Sequence, residues 1–170
     1  MASFTAYIAV SGRNSGVFVP AYVWLARVFN EQGQPVWSND HEPPSFVDGH
    51  PHLGYFRAAK AALEQMTEGS TLTLSAKPNT PLAWPFGGEL RTYHHRRAEG
   101  KRKGEEYADA AEIRKLDELA QQLKVTLTSR PPSGEEELEL LAQTVDDVAR
   151  RRDSAEDAAA MADDKFCGDA

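Results

Sequence analysis

The sequence predicts an α/β fold in which three antiparallel strands come first and helices then alternate with single strands. Two observations carry this expectation. Before about residue 40 the apolar residues sit in β-branched and aromatic runs separated by turn residues. From Leu53 onward the apolar period lengthens to helical spacing in three segments, with short extended runs between them.

Phe4 to Val10 alternates, and the turn-rich SGRNSG that follows makes it a strand entering a hairpin. VFVPAYVWLARVF, Val17 to Phe29, is the second strand, and Pro20 sets its start at a sheet edge or bulge. EQGQ turns the chain, Pro35 to Ser38 gives a short third strand, and SNDHEPPSFVDGHPH is loop. LGYFRAAKAALEQMT, Leu53 to Thr67, is a helix with Phe56, Ala59, Leu63 and Met66 on one face and Gly69 as its stop. Ser70 to Ser75 is the fourth strand, ended by Pro78, which has no N–H to give. Ala108 to Leu123 is a helix burying Ile113, Leu116, Leu119, Ala120 and Leu123. Lys124 to Ser129 is the fifth strand. After RPPSG a last helix runs from Glu136 to about Arg152 on Leu140, Leu141, Thr144, Val145 and Val148. Residues 1–152 are thus expected to form the domain, and the acidic stretch 153–170, poor in bulky apolar side chains, a frayed or disordered tail.

The chain of 170 residues, 41% hydrophobic and 26% charged, suits one domain with a sizeable core. Its apolar runs fall short of the roughly 18 residues that span a bilayer, so no membrane partner is expected. MASFTAYIAV has no basic n-region and reads as a strand rather than a signal peptide, which makes the cytoplasm the expected compartment. The lone Cys167 excludes an internal disulfide framework and argues against a thiolate metal cluster. A net charge of −7 repels nucleic acid at long range, so any such binding needs a local patch. HHRRAEGKRK, His94 to Lys103, supplies one.

YFRAAKAALEQM, TLTLSAKPNTPL, LDELAQQLKVTLTSRPPSG and TVDDVARRR resemble, in that order, the first helix, the fourth strand with its turn, the helix, fifth strand and loop, and the final helix of the ribonuclease H family. The resemblance spans roughly Phe4 to Arg152. It implies a ribonuclease H-like fold: a five-stranded mixed sheet, three antiparallel strands first, flanked by helices. The family holds two Mg²⁺ ions with four carboxylates to activate water and stabilise the leaving oxygen while an RNA strand is cut. Such hard cations take oxygen ligands, and two of them close together need several negative charges. The resemblance places the four carboxylates at Val10 or Ser11, at Tyr55, at Lys77 and at Asp146, with Asp147 adjacent. Three of the four are not acids. Where active members often carry a histidine, RPPSG offers Pro131 or Pro132.

An ammonium ~4 Å from a dication at an effective dielectric of 20 opposes it by about 8 kcal/mol, so Lys77 is incompatible with the usual metal site. Lys77 either pairs with Asp146, closing the site, or is a solvated lysine at a strand end. Asp146 is either a relic ligand or an ordinary helix acid. Arg96, Arg97, Lys101, Arg102 and Lys103 correspond to the basic protrusion with which some members grip the hybrid duplex; the bland reading is a solvated loop. Tyr93 and Trp84 are candidates for base stacking or for simple anchoring. His50 and His52 form H-x-H without a third ligand, and Ser11, Ser15 and Ser75 lack a histidine nearby in sequence.

The expected function is a catalytically degenerate ribonuclease H-like domain acting as a nucleic-acid-binding or assembly module, with no cofactor. The alternative is a divergent Mg²⁺-dependent nuclease cutting RNA in RNA/DNA hybrids, using Asp146 or Asp147 with Asp40, Glu42, Asp48 or Glu64. A protein-interaction domain is the further alternative. Convergence of three carboxylates marks the enzyme; a continuous basic surface marks the binder.

Overall fold

The computed structural model describes residues 1–13, 19–83, 85–87 and 109–168, with side chains to 162. The elements are β1 (Ser3–Gly12), β2 (Ala21–Asn30), β3 (Pro35–Ser38), β4 (Val47–Asp48), α1 (Pro51–Leu63), β5 (Thr71–Ser75), α2 (Ala110–Leu123), β6 (Thr126–Ser129) and α3 (Gly134–Gly168). They form one mixed sheet in the order β3-β2-β1-β5-β6, with β4 added to β2. The first three strands are antiparallel, whereas β5 runs parallel to β1, from Ser3 opposite Thr71 to Tyr7 opposite Ser75, and β6 runs parallel to β5. The expected α/β architecture is therefore present, with the two-residue β4 as an addition.

β1 lies at the centre of the sheet, and its alternate residues look into two layers. Ala6 and Ile8, with Ala26 and Val28 of β2, Leu72 and Leu74 of β5 and Leu127 of β6, form the larger core, which α1 and α2 close through Phe56, Ala59, Leu63, Ile113, Leu116 and Ala120. Ala9, Val23 and Leu25 face the other way, under Val148 and Ala155 of α3. The helical faces read from periodicity are the faces that are buried.

The ends differ from expectation for local reasons. α1 starts at Pro51, two residues early, because His50 caps it: its Nδ1 accepts the His52 N–H at 3.1 Å. β6 starts at Thr126 because Lys124 takes a left-handed conformation (φ 56°) as the C-cap of α2, its N–H directed to the Ala120 and Gln121 carbonyls. β2 is extended from Ala21 onward; residues 14–18 lie outside the described residues. β3 and β4 leave a gap along the edge of β2, and Asn39, 1% exposed, bridges part of it. Its Oδ1 accepts the Ala26 N–H at 2.8 Å and its Nδ2 donates to the Trp24 carbonyl at 3.0 Å.

α3 does not stop at Arg152 but continues through the stretch expected to be a tail. Residues 153–162 are alanine-rich, and alanine favours the helix whether or not a core lies beneath it. One of those alanines, Ala155, is also 3% exposed, so packing reaches past residue 152. Among the described residues no helix is long and apolar enough to cross a membrane.

The start of α3 is fastened by charge. Glu137 accepts the Ser133 N–H (2.8 Å) and hydroxyl (2.6 Å) and two guanidinium contacts from Arg130 (2.8 and 3.1 Å). The Arg130 hydrogen bonds chiefly, with those of Ser133, hold its carboxyl down to about 2 against burial, which acts the other way.

Two predictions follow from packing and charge. A Cβ on Gly54 would lie 2.8 Å from Tyr22 Cδ2 and from Val10 Cγ1. Gly54→Ala should therefore destabilise by about 1–3 kcal/mol despite the better helix propensity of alanine, and Val10→Ala in that background should recover part of the loss. Urea denaturation measures both, and a neutral Gly54→Ala would refute the close approach of α1 to the sheet. Glu137→Gln should cost about 1–2 kcal/mol at neutral pH once solvent screening is allowed for. Because the folded-state pKa is depressed, that contribution is full above about 4.5 and should fade as pH falls toward 2. Unfolding at pH 7, 4 and 2.5 should show the wild-type advantage shrinking in that order.

Candidate functional site

The parallel strands β1 and β5 end on the same side of the sheet, where α/β folds commonly hold ligands. The residues matched to the four carboxylates distribute around that end as follows. Val10 lies in the α1 layer, close against Gly54, whose neighbour Tyr55 is half-buried against the larger core. Burial raises the Tyr55 phenol pKa. Ala76 is buried in the same core, and Lys77 follows it, exposed, in a turn closed by the Thr80 N–H and hydroxyl donating to the Lys77 carbonyl at 3.2 and 2.7 Å. Asp146 is carried by α3, in the opposite layer.

Of the two readings of Lys77, the pairing with Asp146 or Asp147 does not form: among the described residues no ion pair joins them, and Lys77 is the exposed lysine at a strand end. Successive helix residues are turned by roughly 100°, so Asp146 and Asp147 cannot both face the sheet. Asp147 is the inward one, with Oδ2 2.8 Å from Arg27 and Oδ1 2.7 Å from Arg150, while Asp146 is exposed. Arg27 also holds Asp40 through two contacts of 2.9 and 3.0 Å. Those hydrogen bonds are the main cause of the lowered Asp40 pKa and the raised Arg27 pKa.

The side chain that meets the α3 side of β1 is a cation. Arg152 Nη1 donates to Ser11 Oγ at 2.9 Å, and its Nη2 lies 3.1 Å from Asp153. Sequence reading passed over Arg152. Its signal was present in TVDDVARRR, where Arg152 stands four residues after Val148 and seven after Val145 and so shares their stripe.

The side chains at these positions do not fit a pair of Mg²⁺ ions: they offer an aliphatic group or an engaged hydroxyl, a half-buried phenol, an ammonium and a single carboxylate in the other layer. Among the described residues no group of three or more His, Cys, Asp or Glu is placed to hold a metal. Of the acids proposed for a divergent centre, Asp40 and Asp147 are both taken by Arg27. Glu42, Asp48 and Glu64 are exposed in separate segments. His52 Nε2 lies 3.2 Å from Asp109, tying the start of α1 to the N-cap of α2, while His50 acts as a cap. Arg96, Arg97, Lys101, Arg102 and Lys103, together with Ser15, Trp84, Tyr93, His94 and His95, lie outside the described residues.

The different orientations of the two adjacent acids can be read out directly. Asp147→Asn should destabilise by about 1–2 kcal/mol, since it weakens contacts to a partly buried guanidinium, whereas Asp146→Asn should stay within about 0.5 kcal/mol. Chemical denaturation of the two variants compares them, and the reverse order would contradict the assignment of Asp147 as the inward residue.

No family model matches the chain, and no curated protein matches it by sequence. Solved structures do. The LC11 ribonuclease H1 isolated from compost is 12% identical, with 87% of this chain and 96% of that one covered at a TM-score of 0.50. The ribonuclease H1 of Halobacterium salinarum is 12% identical, covering 86% and 93% at 0.45. The N-terminal ribonuclease H domain from Mycobacterium tuberculosis is 11% identical, covering 86% and 95% at 0.46. The first likeness spans nearly the whole of both chains, and the strand order and the parallel β1–β5 pair agree with it: the chain has a ribonuclease H-like fold.

Proposed function

We propose that the protein is a catalytically silent ribonuclease H-like domain that works in the cytoplasm as a nucleic-acid-binding or assembly module. The observation that carries this reading is the chemistry at the carboxyl end of β1. Ser11 is engaged by the Arg152 guanidinium there, and the matched positions around it hold Val10, Tyr55 and Lys77. A two-metal centre needs several carboxylates in that place, and these side chains supply none. The fold supports a nucleic-acid role by analogy. The run Arg96, Arg97, Lys101, Arg102 and Lys103 supports it by charge, because a chain of net −7 needs a local basic patch to approach phosphates.

The test combines binding and cleavage in the same tubes: RNA/DNA hybrid, duplex and single strands, with Mg²⁺ or Mn²⁺. Wild-type protein should leave the hybrid uncut. Charge reversal at Arg96, Arg97 and Lys101 should weaken binding similarly across sequences and flatten its salt dependence, since phosphate contacts carry no base information. Hybrid cleavage that disappears in Asp146→Asn or Asp147→Asn would establish the divergent nuclease instead. No binding to any nucleic acid at low salt would favour a protein-interaction domain.

A further inference from the structure

The gap along β2 between β3 and β4 opens into a cavity of about 170 Å³. Trp24, Asn39, Glu42, Ser45, Arg57 and Arg151 are among the residues that line it. Arg57 belongs to α1 and Arg151 to α3, so two helices on opposite faces of the sheet each deliver a guanidinium to one opening at its edge.

Arg151 is only partly satisfied. Its Nη1 donates to the Glu42 carbonyl at 3.1 Å and, at 3.5 Å, to that of Asp40. Its Nε–H is buried and has no acceptor among the described residues. A buried, charged donor without an acceptor is costly, and burial closes this one to the cavity, so a ligand there meets the other nitrogens of the guanidinium. The charged groups facing Arg151 are Asp40, Glu42 and Arg27, and burial dominates over the two acids in lowering its pKa. Asp40 is already held by Arg27 through two contacts. Arg57 lies against the Tyr22 hydroxyl on the other face, where it partly offsets the rise that burial gives that phenol.

The charge and size of the cavity select its ligand. Two guanidinium groups against the Glu42 carboxylate leave one positive charge among the lining side chains. The volume is below the roughly 300 Å³ at which pockets begin to take drug-sized molecules, so the occupant is an ion or a small group. A planar carboxylate presents its oxygens in one plane. A tetrahedral oxyanion presents them in several directions and can accept from guanidinium groups approaching from both sides, and guanidinium matches phosphate geometry well.

We propose that this gap is a binding site for a phosphate-class oxyanion held between the guanidinium groups of Arg57 and Arg151. The site stands apart from the carboxyl end of β1 and does not depend on the nucleic-acid reading above. Its ligand is either free phosphate or a phosphomonoester, or else a phosphodiester of a nucleic-acid backbone.

The experiment follows the arginine Nε–H signals of the full-length ¹⁵N-labelled chain while inorganic phosphate is added, against chloride at matched ionic strength. The Arg151 signal should move saturably with phosphate and not with chloride. Arg57→Gln, at an exposed position, should retain the fold yet weaken phosphate binding about tenfold or more, the loss expected for one charge-assisted hydrogen bond. Arg151→Lys keeps the charge but removes the guanidinium fork and should weaken binding comparably. Equal responses to phosphate and chloride, no saturable response, or unchanged affinity in Arg57→Gln would overturn the site. Dimethyl phosphate and a short RNA/DNA hybrid form the second arm. If either displaces phosphate and moves the Arg151 signal, the source is a backbone phosphodiester; if phosphate alone acts, it is the free ion or a monoester.

Discussion

Everything in this structure depends on β1 being pressed between two helical layers. Because side chains alternate along a strand, Ala6 and Ile8 are committed to the layer of α1 and α2, and Ala9 to the layer of α3. The same rule separates Val10 from Ser11. Val10 meets α1 at Gly54, whereas Ser11 meets α3 at Arg152. Two neighbouring residues, either of which matches the first family carboxylate, thus have unrelated surroundings. A one-residue shift in register would exchange their roles and set Tyr7 and Ala9 where Ala6 and Ile8 now pack, misfitting both cores.

α3 is fixed over the sheet by arginines as much as by apolar contact. Arg27 of β2 bridges Asp147 of α3 and Asp40, with Arg27 and Asp147 side chains only 19% and 20% exposed. Partial burial makes this bridge worth more than the pair Asp147 makes with Arg150, whose side chain is 77% exposed. Arg151 clasps the carbonyls of the segment after β3, and Arg130 clasps Glu137 at the start of the helix. Asp40, Asp147 and Glu137 are therefore occupied in holding the fold. Tyr7, 2% exposed beneath the helix, carries the electrostatic consequence: burial, helped by the Glu137 charge, pushes its hydroxyl to about 12.

The distribution of cations bears on what such a fold can do. At the carboxyl end of β1 the guanidinium of Arg152 occupies the side from which a helix carboxylate would otherwise approach. At the edge of β2, Arg57 and Arg151 converge on a small cavity. Both features are built from side chains carried by regular elements rather than by loops.

Local sequence was enough to determine the order of strands and helices and the buried face of each helix, because apolar periodicity is set by backbone geometry over a few residues. It was also enough to show that Val10, Tyr55 and Lys77 bring no carboxylate to the positions they match. Four things were decided only by the tertiary structure: that Asp147 and not Asp146 turns inward, that Arg152 reaches Ser11, that Asn39 fills a gap in the sheet edge, and that Arg57 and Arg151 share a cavity. Each joins segments far apart in the chain, 141 residues in the case of Arg152 and Ser11. The rotation and height of α3 over the sheet fix the partners of Asp147, Arg151 and Arg152, and they come from packing Val148 and Ala155 onto Ala9, Val23 and Leu25. No local pattern encodes that docking: within one helix the stripe marks the apolar face, but only the opposing surface decides what the residues on it and at its edges meet.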